Sequence, residues 1–400
     1  MRGRVLIVYP YFIQTGAVEN FIKDLAKTLR SKGYTVFILT LRVDDTLLAL
    51  CPPRGITNPI EENSVEELDN AVLIRAELPK FLIRMPWHSI IACPALSIYL
   101  SNVILKLIEK YDIDIVYACE YIAILATYMA YKRAKNKKLK IFASLHSSYD
   151  IKSYLKYKAF INVLKHFNKV IVAVPPSDET FKRLRSLLEN VVYAPIGIDI
   201  ERFKPRPTLK QEFRRKLGLP PQSIVFLYIA RFVPAKNPLR VIATFYRLLK
   251  MRERNDLTLV MLGYGELEEA VRRIIRKLNL TKNVVLLKPI SYHNHRLPMI
   301  YNASDVFLSL HLHEGTNAVV LEALASGLPV IHADVLGTPS ILRKTLILVD
   351  PRSVRDIYKA MSRVIGNTSI IEDIRARARY LIMLFSRERM LTRIAETIID

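Results

Sequence analysis

The sequence predicts an α/β protein built from two doubly wound domains, and three observations carry that prediction. The 400 residues are too many for one hydrophobic core and suit two domains of ordinary size. Short, continuously apolar runs alternate with segments of helical period along almost the whole chain. Apolar runs of this kind are typical of parallel strands that are covered by helices on both faces.

The elements follow in a regular order. Strands are predicted at 5–8, 36–41, 72–76, 113–117, 140–143, 170–173 and 191–194. A proline-punctuated, charged segment at 197–219 interrupts the alternation, and we interpret it as the region between the domains. Further strands are then predicted at 223–229, 258–262, 284–287, 306–310 and 329–332, and helices at 238–251, 267–278, 318–326, 354–364 and 371–399. We expect an N-terminal domain at 1–200 and a C-terminal domain at 201–380.

The charge balance is strongly basic, with a formal net charge of +23 at pH 7. Such an excess attracts phosphates, nucleic acid or an anionic membrane surface. The three cysteines are far apart and form neither a disulfide framework nor a metal-ligand spacing, and the N-terminus does not have the pattern of a signal peptide. These features favour a cytoplasmic location. The stretch 86–105 has no charged residue, so it could form a membrane span, a surface groove or part of a buried helix. We favour a buried helix at 96–107.

Two glutamates, Glu314 and Glu322, frame the segment that carries the most chemistry. It follows the strand at 306–310, makes a glycine-containing turn and enters the helix at 318–326. The first amides of that helix, near Asn317, Ala318 and Val319, would offer phosphate a positive dipole end. The spacing allows both carboxylates to face one site and to accept hydrogen bonds from vicinal hydroxyl groups. The alternative is a solvated loop glutamate and a glutamate on the helix surface.

Two cations, Arg231 and Lys236, follow the strand at 223–229 across a proline-containing loop. A guanidinium and an ammonium group at the carboxyl end of a parallel strand suit a diphosphate. The alternative is a pair of surface cations in a basic protein.

Two further candidates follow strands in the N-terminal half. Gly16 links the first strand to the first helix, where the lack of a Cβ lets the backbone approach a phosphate or sugar closely. His146 follows the strand at 140–143. An ordinary turn and a core histidine are the respective alternatives.

No metal site is predicted. The histidine pairs His293/His295 and His311/His313 lack a matching set of carboxylates. No Asp-x-Asp sequence stands at the carboxyl end of a predicted strand.

Taken in order, these segments resemble the retaining GT-B glycosyltransferases of family 4, the glycosyl transferases group 1. The pair Glu314 and Glu322, followed by Ala-Ser-Gly-Leu-Pro-Val-Ile, is similar to the family's donor-binding signature, and residues 230–237 are similar to its Gly-Arg-Leu-x-x-x-Lys-Gly loop. Residues 16–19, 196–205, 263–265 and 385–389 resemble further family segments in the family's order. Ala230 and Asn237 replace two of the family's glycines, and Thr316-Asn317 replaces an aromatic-glycine pair.

The resemblance implies a GT-B architecture, in which two Rossmann-like α/β/α domains face each other across a cleft and a closing helix, here 381–400, crosses back to the first domain. It implies that Glu314 binds the hydroxyls of the donor sugar, Glu322 binds the ribose, and Arg231 and Lys236 bind the diphosphate. It puts His146 near the anomeric carbon, so that His146 and Glu314 are the catalytic candidates.

The expected reaction moves a hexose from a nucleoside-diphosphate sugar to a hydroxyl acceptor with retention, without a metal or another cofactor. The expected acceptor is a glycan or a lipid-linked molecule. Basic residues interleave with apolar ones at 131–140 and 152–169, which suits either an anionic membrane face or a core-facing helix with a solvated side. The rival functions are an epimerase or phosphorylase of the same fold, and a nucleic-acid binder recruited by charge, for which no recognisable module is found.

Overall fold

The computed structural model describes residues 2–10, 17–41, 65–68, 71–76, 92–136, 138–146, 158–173, 179–252, 256–290, 292, 294–312, 318–335 and 338–400. The chain divides into two compact units. Unit 1 comprises Met1–Ile196 with Met390–Asp400, and unit 2 comprises Gly197–Arg389. Each unit is an α/β domain with a mainly or wholly parallel sheet, which confirms the predicted fold class of two α/β domains.

Unit 1 contains a sheet in the order β3-β4-β2-β1-β5-β6-β7-β8. Its strands in the described residues are β1 Gly3–Val8, β2 Tyr34–Leu41, β3 Val65–Leu68, β4 Ala71–Ala76, β5 Ile115–Cys119, β6 Lys140–Leu145, β7 Lys169–Val172 and β8 Val191–Tyr193. The predicted strands are all present, and their pairings are parallel. The sequence did not predict β3, which pairs antiparallel with β4 at the edge of the sheet.

The helices of unit 1 in the described residues are α1 Ala17–Ser31, α2 Ala92–Tyr111, α3 Glu120–Arg133, α4 Lys158–Leu164 and α5 Glu179–Leu187. The expectation of a buried helix at 96–107 is confirmed, because Leu96, Leu100 and Ile104 of α2 lie in the hydrophobic core. Over the ranges that the structure describes, no helix combines the length and the apolar character needed to cross a membrane.

The basic segment 152–169 is described from residue 158 onward. There its apolar side chains, Phe160, Ile161, Leu164 and Phe167, are buried in the core of unit 1. In this part the core-facing alternative is therefore the right one, and the apolar face is not open to a bilayer. Residues 152–157 lie outside the described part.

Unit 2 contains a parallel sheet in the order β11-β10-β9-β12-β13-β14. Its strands are β9 Ile224–Ile229, β10 Leu257–Leu262, β11 Val284–Leu287, β12 Val306–Ser309, β13 Val330–Ala333 and β14 Leu346–Val349. Numbered within the unit, this is the order 3-2-1-4-5-6 of a dinucleotide-binding fold, and its direction reverses between β9 and β12. In such sheets ligands bind beyond the carboxyl ends of the strands at that reversal.

The α-helices that follow residue 196 in the described part of the chain are α6 Lys210–Lys216, α7 Pro238–Arg252, α8 Glu268–Lys277, α9 Arg296–Ala303, α10 Ala318–Ala325, α11 Ser340–Arg343, α12 Val354–Val364, α13 Thr368–Met383 and α14 Arg387–Ile399. The single helix predicted at 371–399 is thus two helices. At the break, the Ile198 amide donates to the Phe385 carbonyl at 2.8 Å, and the Arg387 amide donates to the Ile198 carbonyl at 2.8 Å. These bonds replace helical ones and end α13. Beyond Met390, Leu391 and Ile394 belong to the core of unit 1.

Candidate functional site

The loop after β9 carries Arg231 and Lys236 at the point where the strand order of unit 2 reverses. The Tyr228 hydroxyl donates to the Lys236 carbonyl at 3.0 Å, and the Leu312 amide donates to the Ala235 carbonyl at 2.9 Å. The first bond ties the loop to β9, and the second ties it to the segment that follows β12. Lys236 is buried, at 8% exposure, and Arg231 is half-buried. Because surface lysines are normally solvated, the alternative of two surface cations is wrong for Lys236.

A turn after β10 holds the cation-bearing loop in place. A Cβ added at Gly263 would lie 2.0 Å from the Ala230 carbonyl oxygen, so only glycine allows this approach. The Phe232 amide donates to the Tyr264 carbonyl at 2.7 Å, and the Leu267 amide donates to the Phe232 carbonyl at 2.8 Å. The glycine-x-glycine segment is therefore a structural support for the loop.

Asn237 stands where the family has a glycine, and its backbone explains the substitution. Its φ is 63°, in the left-handed region that asparagine tolerates better than most residues. Its side-chain amide donates to the Pro351 carbonyl at 2.8 Å. The loop thus keeps the conformation that glycine would otherwise supply.

Glu322 lies one turn into α10, the helix whose first residues are Ala318 and Val319. Its side chain is only 3% exposed, and its Oε2 accepts a 2.6 Å hydrogen bond from the Tyr301 hydroxyl. The alternative of a solvated glutamate on the helix surface is therefore wrong. Helix α10 starts at the same sheet edge as the cation loop, because it directly follows β12 in the chain.

Burial governs the charge state of Glu322. Loss of hydration raises the pKa of Glu322 to about 7, while the Tyr301 hydrogen bond and the positive charges of Arg387 and Arg202 oppose the rise. Both guanidinium groups lie over the ring of Tyr292, at 5.0 Å for Arg387 and 5.2 Å for Arg202. Glu322 thus changes its charge near neutral pH.

A buried polar chain joins the ends of β12 and β13. The Ser309 hydroxyl lies 2.9 Å from Nε2 of His311 and 2.9 Å from Nδ1 of His332, and Nε2 of His332 lies 3.2 Å from the Thr338 hydroxyl. Burial, followed by the charge of Arg343, lowers the pKa of His332 to about 4. Burial, followed by the charge of Lys236, holds the pKa of His311 well below its usual value. Both imidazoles are therefore neutral at physiological pH.

In unit 1, His146 lies directly after β6 and is half-buried. Its Nε2 is 3.0 Å from the Ser144 hydroxyl, its ring packs edge-on against Phe21 at 5.5 Å, and its amide donates to Glu120 Oε1 at 3.2 Å. Burial lowers the pKa of His146 to about 4. Glu120 itself has φ of 70°, a conformation rare outside glycine and enriched at functional sites.

Three of the predicted site residues, Gly16, Glu314 and Asn317, lie outside the described residues. Their predicted roles therefore stay predictions. Of the others, Arg231, Lys236, Ala318, Val319 and Glu322 lie in unit 2, and His146 lies in unit 1.

Sequence reasoning missed the residues that support the candidates. Nothing in the sequence indicates that Tyr301 contacts Glu322, because a tyrosine inside a helix is usually a packing residue. The sequence gave no sign that His311 lies against Ser309 and His332, because these residues belong to two different strands or strand ends. His313 lies outside the described residues. Glu120 had a usable signal, since it is a carboxylate directly after the apolar strand β5.

Two family models match the chain. The model described as Glycosyl transferases group 1 matches residues 210–380, and the model described as Glycosyltransferase Family 4 matches residues 18–202. A curated Escherichia coli protein, the UDP-Gal:alpha-D-GlcNAc-diphosphoundecaprenol alpha-1,3-galactosyltransferase, is 30% identical over 173 residues, which cover 42% of this chain and 44% of that protein. The chain thus spans about half the length of that relative.

Among solved structures, the sucrose-phosphate synthase of Thermosynechococcus elongatus superposes with a TM-score of 0.76 at 18% identity and covers 99% of this chain and 98% of its own. HepE of Anabaena, in complex with UDP-glucose, superposes with a TM-score of 0.72 at 18% identity and covers 99% of both chains. At this identity the likeness concerns the fold, which is the GT-B fold of nucleotide-sugar enzymes. With its two family models, one on each parallel-sheet domain, the chain belongs to glycosyltransferase family 4, the glycosyl transferases group 1.

Proposed function

We propose that this chain transfers a hexose from a nucleoside-diphosphate sugar to a hydroxyl acceptor with retention of the anomeric configuration. The observation that carries the proposal is the buried Lys236 at the reversal of strand order, on a loop tied to the segment that follows β12. Ligands of such a sheet bind beyond the carboxyl ends of the strands at this reversal, and an ammonium group held there suits the diphosphate of a donor.

The chemistry follows from where charge develops. As the sugar leaves, negative charge grows on the diphosphate, and Arg231, Lys236 and the first amides of α10 stabilise it. Cations of the protein take the part that a divalent metal plays in other transferases, so we propose a reaction that needs neither metal nor further cofactor.

The remaining roles complete the proposal. Glu322 accepts hydrogen bonds from the ribose hydroxyls, Glu314 does so from the donor sugar, and His146 positions the sugar near its anomeric carbon. Gly16 lets the backbone approach the donor closely, and the amide of Asn317 donates to the diphosphate together with the first amides of α10. His146 is neutral across the physiological range, so its role is to orient by hydrogen bonding.

For the acceptor we propose a lipid-linked or glycan hydroxyl. The name of the Escherichia coli relative gives its acceptor as a diphosphoundecaprenol-linked sugar, and the charge of +23 suits work beside an anionic surface. The proposed location is accordingly the cytoplasm, with peripheral association at the inner face of the membrane.

The first test is the melting temperature of the full chain with UDP, GDP, ADP and their common sugar conjugates, in EDTA and again with Mg²⁺. A ligand that binds only the folded chain raises the melting temperature by mass action. We expect one nucleotide to give a clear rise in EDTA. Arg231→Ala and Lys236→Ala should abolish the rise, whereas Lys277→Ala, an exposed lysine on α8, should keep it.

The outcomes separate the proposal from its rivals. A rise that requires Mg²⁺ overturns metal independence. Turnover of the sugar without an acceptor, or only with inorganic phosphate, indicates the epimerase or phosphorylase. A rise with nucleic acid alone, falling steeply with salt, indicates the nucleic-acid binder. The anomeric configuration of the product, read by proton NMR, tests retention.

A further inference from the structure

Unit 2 contains a cavity at the end of α10 that lies opposite the proposed phosphate-binding start of this helix. It has a volume of about 690 Å³, which is in the range of ligand pockets. Its wall includes the last residues of α10 and the residues that follow, from Leu324 to Leu328. Helix α10 is about 12 Å long, so this wall and the phosphate-facing start of the helix are at opposite ends of it.

The wall of the cavity is strongly cationic. Five basic side chains line it against one acidic side chain, Glu201, and they are Lys204, Arg206, Lys210, Arg375 and Arg379. Lys204 pairs with Glu201 at 3.0 Å, and Lys210 pairs with Asp305 outside the cavity. Arg379 makes no ion pair or hydrogen bond with the described residues.

Hydrogen bonds engage carbonyl groups at the end of α10. A helix C-terminus is a negative dipole end, but the carbonyl groups of Ala323 and Leu324 accept hydrogen bonds here. The Gly327 amide donates to the Leu324 carbonyl at 3.0 Å, and the Leu328 amide donates to the Ala323 carbonyl at 3.0 Å. The Arg375 guanidinium then donates to the Gly327 carbonyl at 2.8 Å, which adds a positive charge at this end.

An unsatisfied polar group lies in the same wall. Ser326 is 6% exposed, and its buried hydroxyl has no hydrogen-bond partner in the described part of the chain. A buried hydroxyl without a partner is destabilising, so a bound acceptor would be favourable at this position.

Apolar side chains also line the cavity. Ile200, Leu324, Leu328, Ile382 and Met383 contribute to it, and Met383 is 54% exposed. A bare inorganic anion would leave this apolar surface in contact with water. The combination of cations, a free hydroxyl and apolar surface fits a ligand that is part anionic and part apolar.

We propose that this cavity binds a phosphate ester with an apolar substituent, the chemistry of an anionic lipid headgroup or of a small phosphorylated metabolite. Arg379 and Arg375 hold the phosphate oxygens, Ser326 donates to one of them, and the apolar residues cover the substituent. The site is independent of the nucleotide site, and its existence does not depend on the proposed transferase reaction.

The test is calorimetric titration of the full chain with two soluble probes, glycerol 3-phosphate and dihexanoyl phosphatidic acid. We expect saturable binding of both, and the lipid to bind at least about tenfold more tightly because it also buries apolar surface. Arg379→Ala should weaken both by about tenfold or more, and Ser326→Ala by about fivefold. Both variants should fold, since Arg379 is exposed and Ser326→Ala removes an unsatisfied group.

Two control variants make the outcome decisive. Arg377→Ala removes the same charge from the same helix, at an exposed residue paired with Asp373 outside the cavity, and should leave binding unchanged. Lys236→Ala disables the nucleotide site and should also leave binding unchanged. If the two probes bind with equal affinity, the proposal that the apolar residues of the cavity cover the ligand's substituent is wrong. Loss of binding in Lys236→Ala, or retention in both Arg379→Ala and Ser326→Ala, overturns the site.

Discussion

The hydroxyl of Tyr301 donates a 2.6 Å hydrogen bond to Oε2 of Glu322 inside the core of unit 2. The phenol ring is fixed by edge-on packing against Phe203 at 5.5 Å and by contact with Phe307 at 5.8 Å. The carboxylate proposed to bind ribose is therefore held by a rigid donor in an apolar setting. Its charge state and its orientation both depend on that packing.

Glu322→Gln should stabilise the protein at alkaline pH. Folding raises the pKa of Glu322 from 4.5 to about 7, so between these values the folded state binds more protons than the unfolded state, and stability falls as pH rises. The shift corresponds to about 3 kcal/mol, all of it lost above pH 7. Glutamine mimics the protonated form, so the variant should melt higher than the unchanged protein at pH 8 and similarly at pH 4.5. Glu372→Gln, at an exposed position of α13, should show no such difference.

Tyr301→Phe should shift the pH dependence of nucleotide binding. The Tyr301 hydrogen bond lowers the pKa of Glu322, so its removal raises that pKa further above 7. Because the ionised carboxylate is the better acceptor for ribose hydroxyls, the pH at which affinity is half-maximal should move upward. Well above that pH, the affinity of the variant should differ little from that of the unchanged protein. Titrations with the preferred nucleotide from pH 6 to 9 measure the shift. Tyr358→Phe, which removes a half-buried hydroxyl on α12, should leave the profile in place.

Gly263→Ala should weaken nucleotide binding, although Gly263 is not one of the residues proposed to contact the nucleotide. The new Cβ would lie 2.0 Å from the Ala230 carbonyl, so the loop that carries Arg231 must move, at a cost of about 1–3 kcal/mol. We expect a lower melting temperature and a much smaller rise on adding nucleotide. Gly218→Ala is the control, because Gly218 also has a left-handed backbone but no atom lies within 4 Å of the new Cβ. This variant should lower the stability of the protein and keep the rise in melting temperature on adding nucleotide. An undiminished response in Gly263→Ala would show that the glycine does not support the loop.

His146→Gln should improve acid tolerance. Folding lowers the pKa of His146 from 6.5 to about 4, so between these values the unfolded state binds more protons, and the stability of the unchanged protein falls as pH drops through 6.5. Glutamine cannot be protonated there, and its amide can still reach the Ser144 hydroxyl. The gap between the melting temperatures at pH 7.5 and pH 5 should therefore narrow. The same gap in both proteins would mean that His146 is not held neutral by burial.

Much of the fold was predictable because its signals are local. The strands of unit 2 are apolar runs of four to six residues, and a doubly buried strand has that pattern whatever its neighbours are. The edge strand Val65–Leu68 was missed, since two of its four residues are glutamates. The division of 371–399 into two helices was missed too, because the bonds that end α13 come from Ile198, far away in the sequence.

The sequence by itself determined the fold class, the two-domain organisation and the position of Arg231, Lys236 and Glu322 after or near the carboxyl ends of strands. These follow from residue order and short-range periodicity. Only the tertiary structure decided that Lys236 and Glu322 are buried, that Tyr301 holds Glu322, that Ser309 joins His311 to His332, and that Arg379 and Ser326 line one cavity. Burial and hydrogen-bond partners depend on which elements pack together, and side chains that meet across a core leave no common pattern in the sequence.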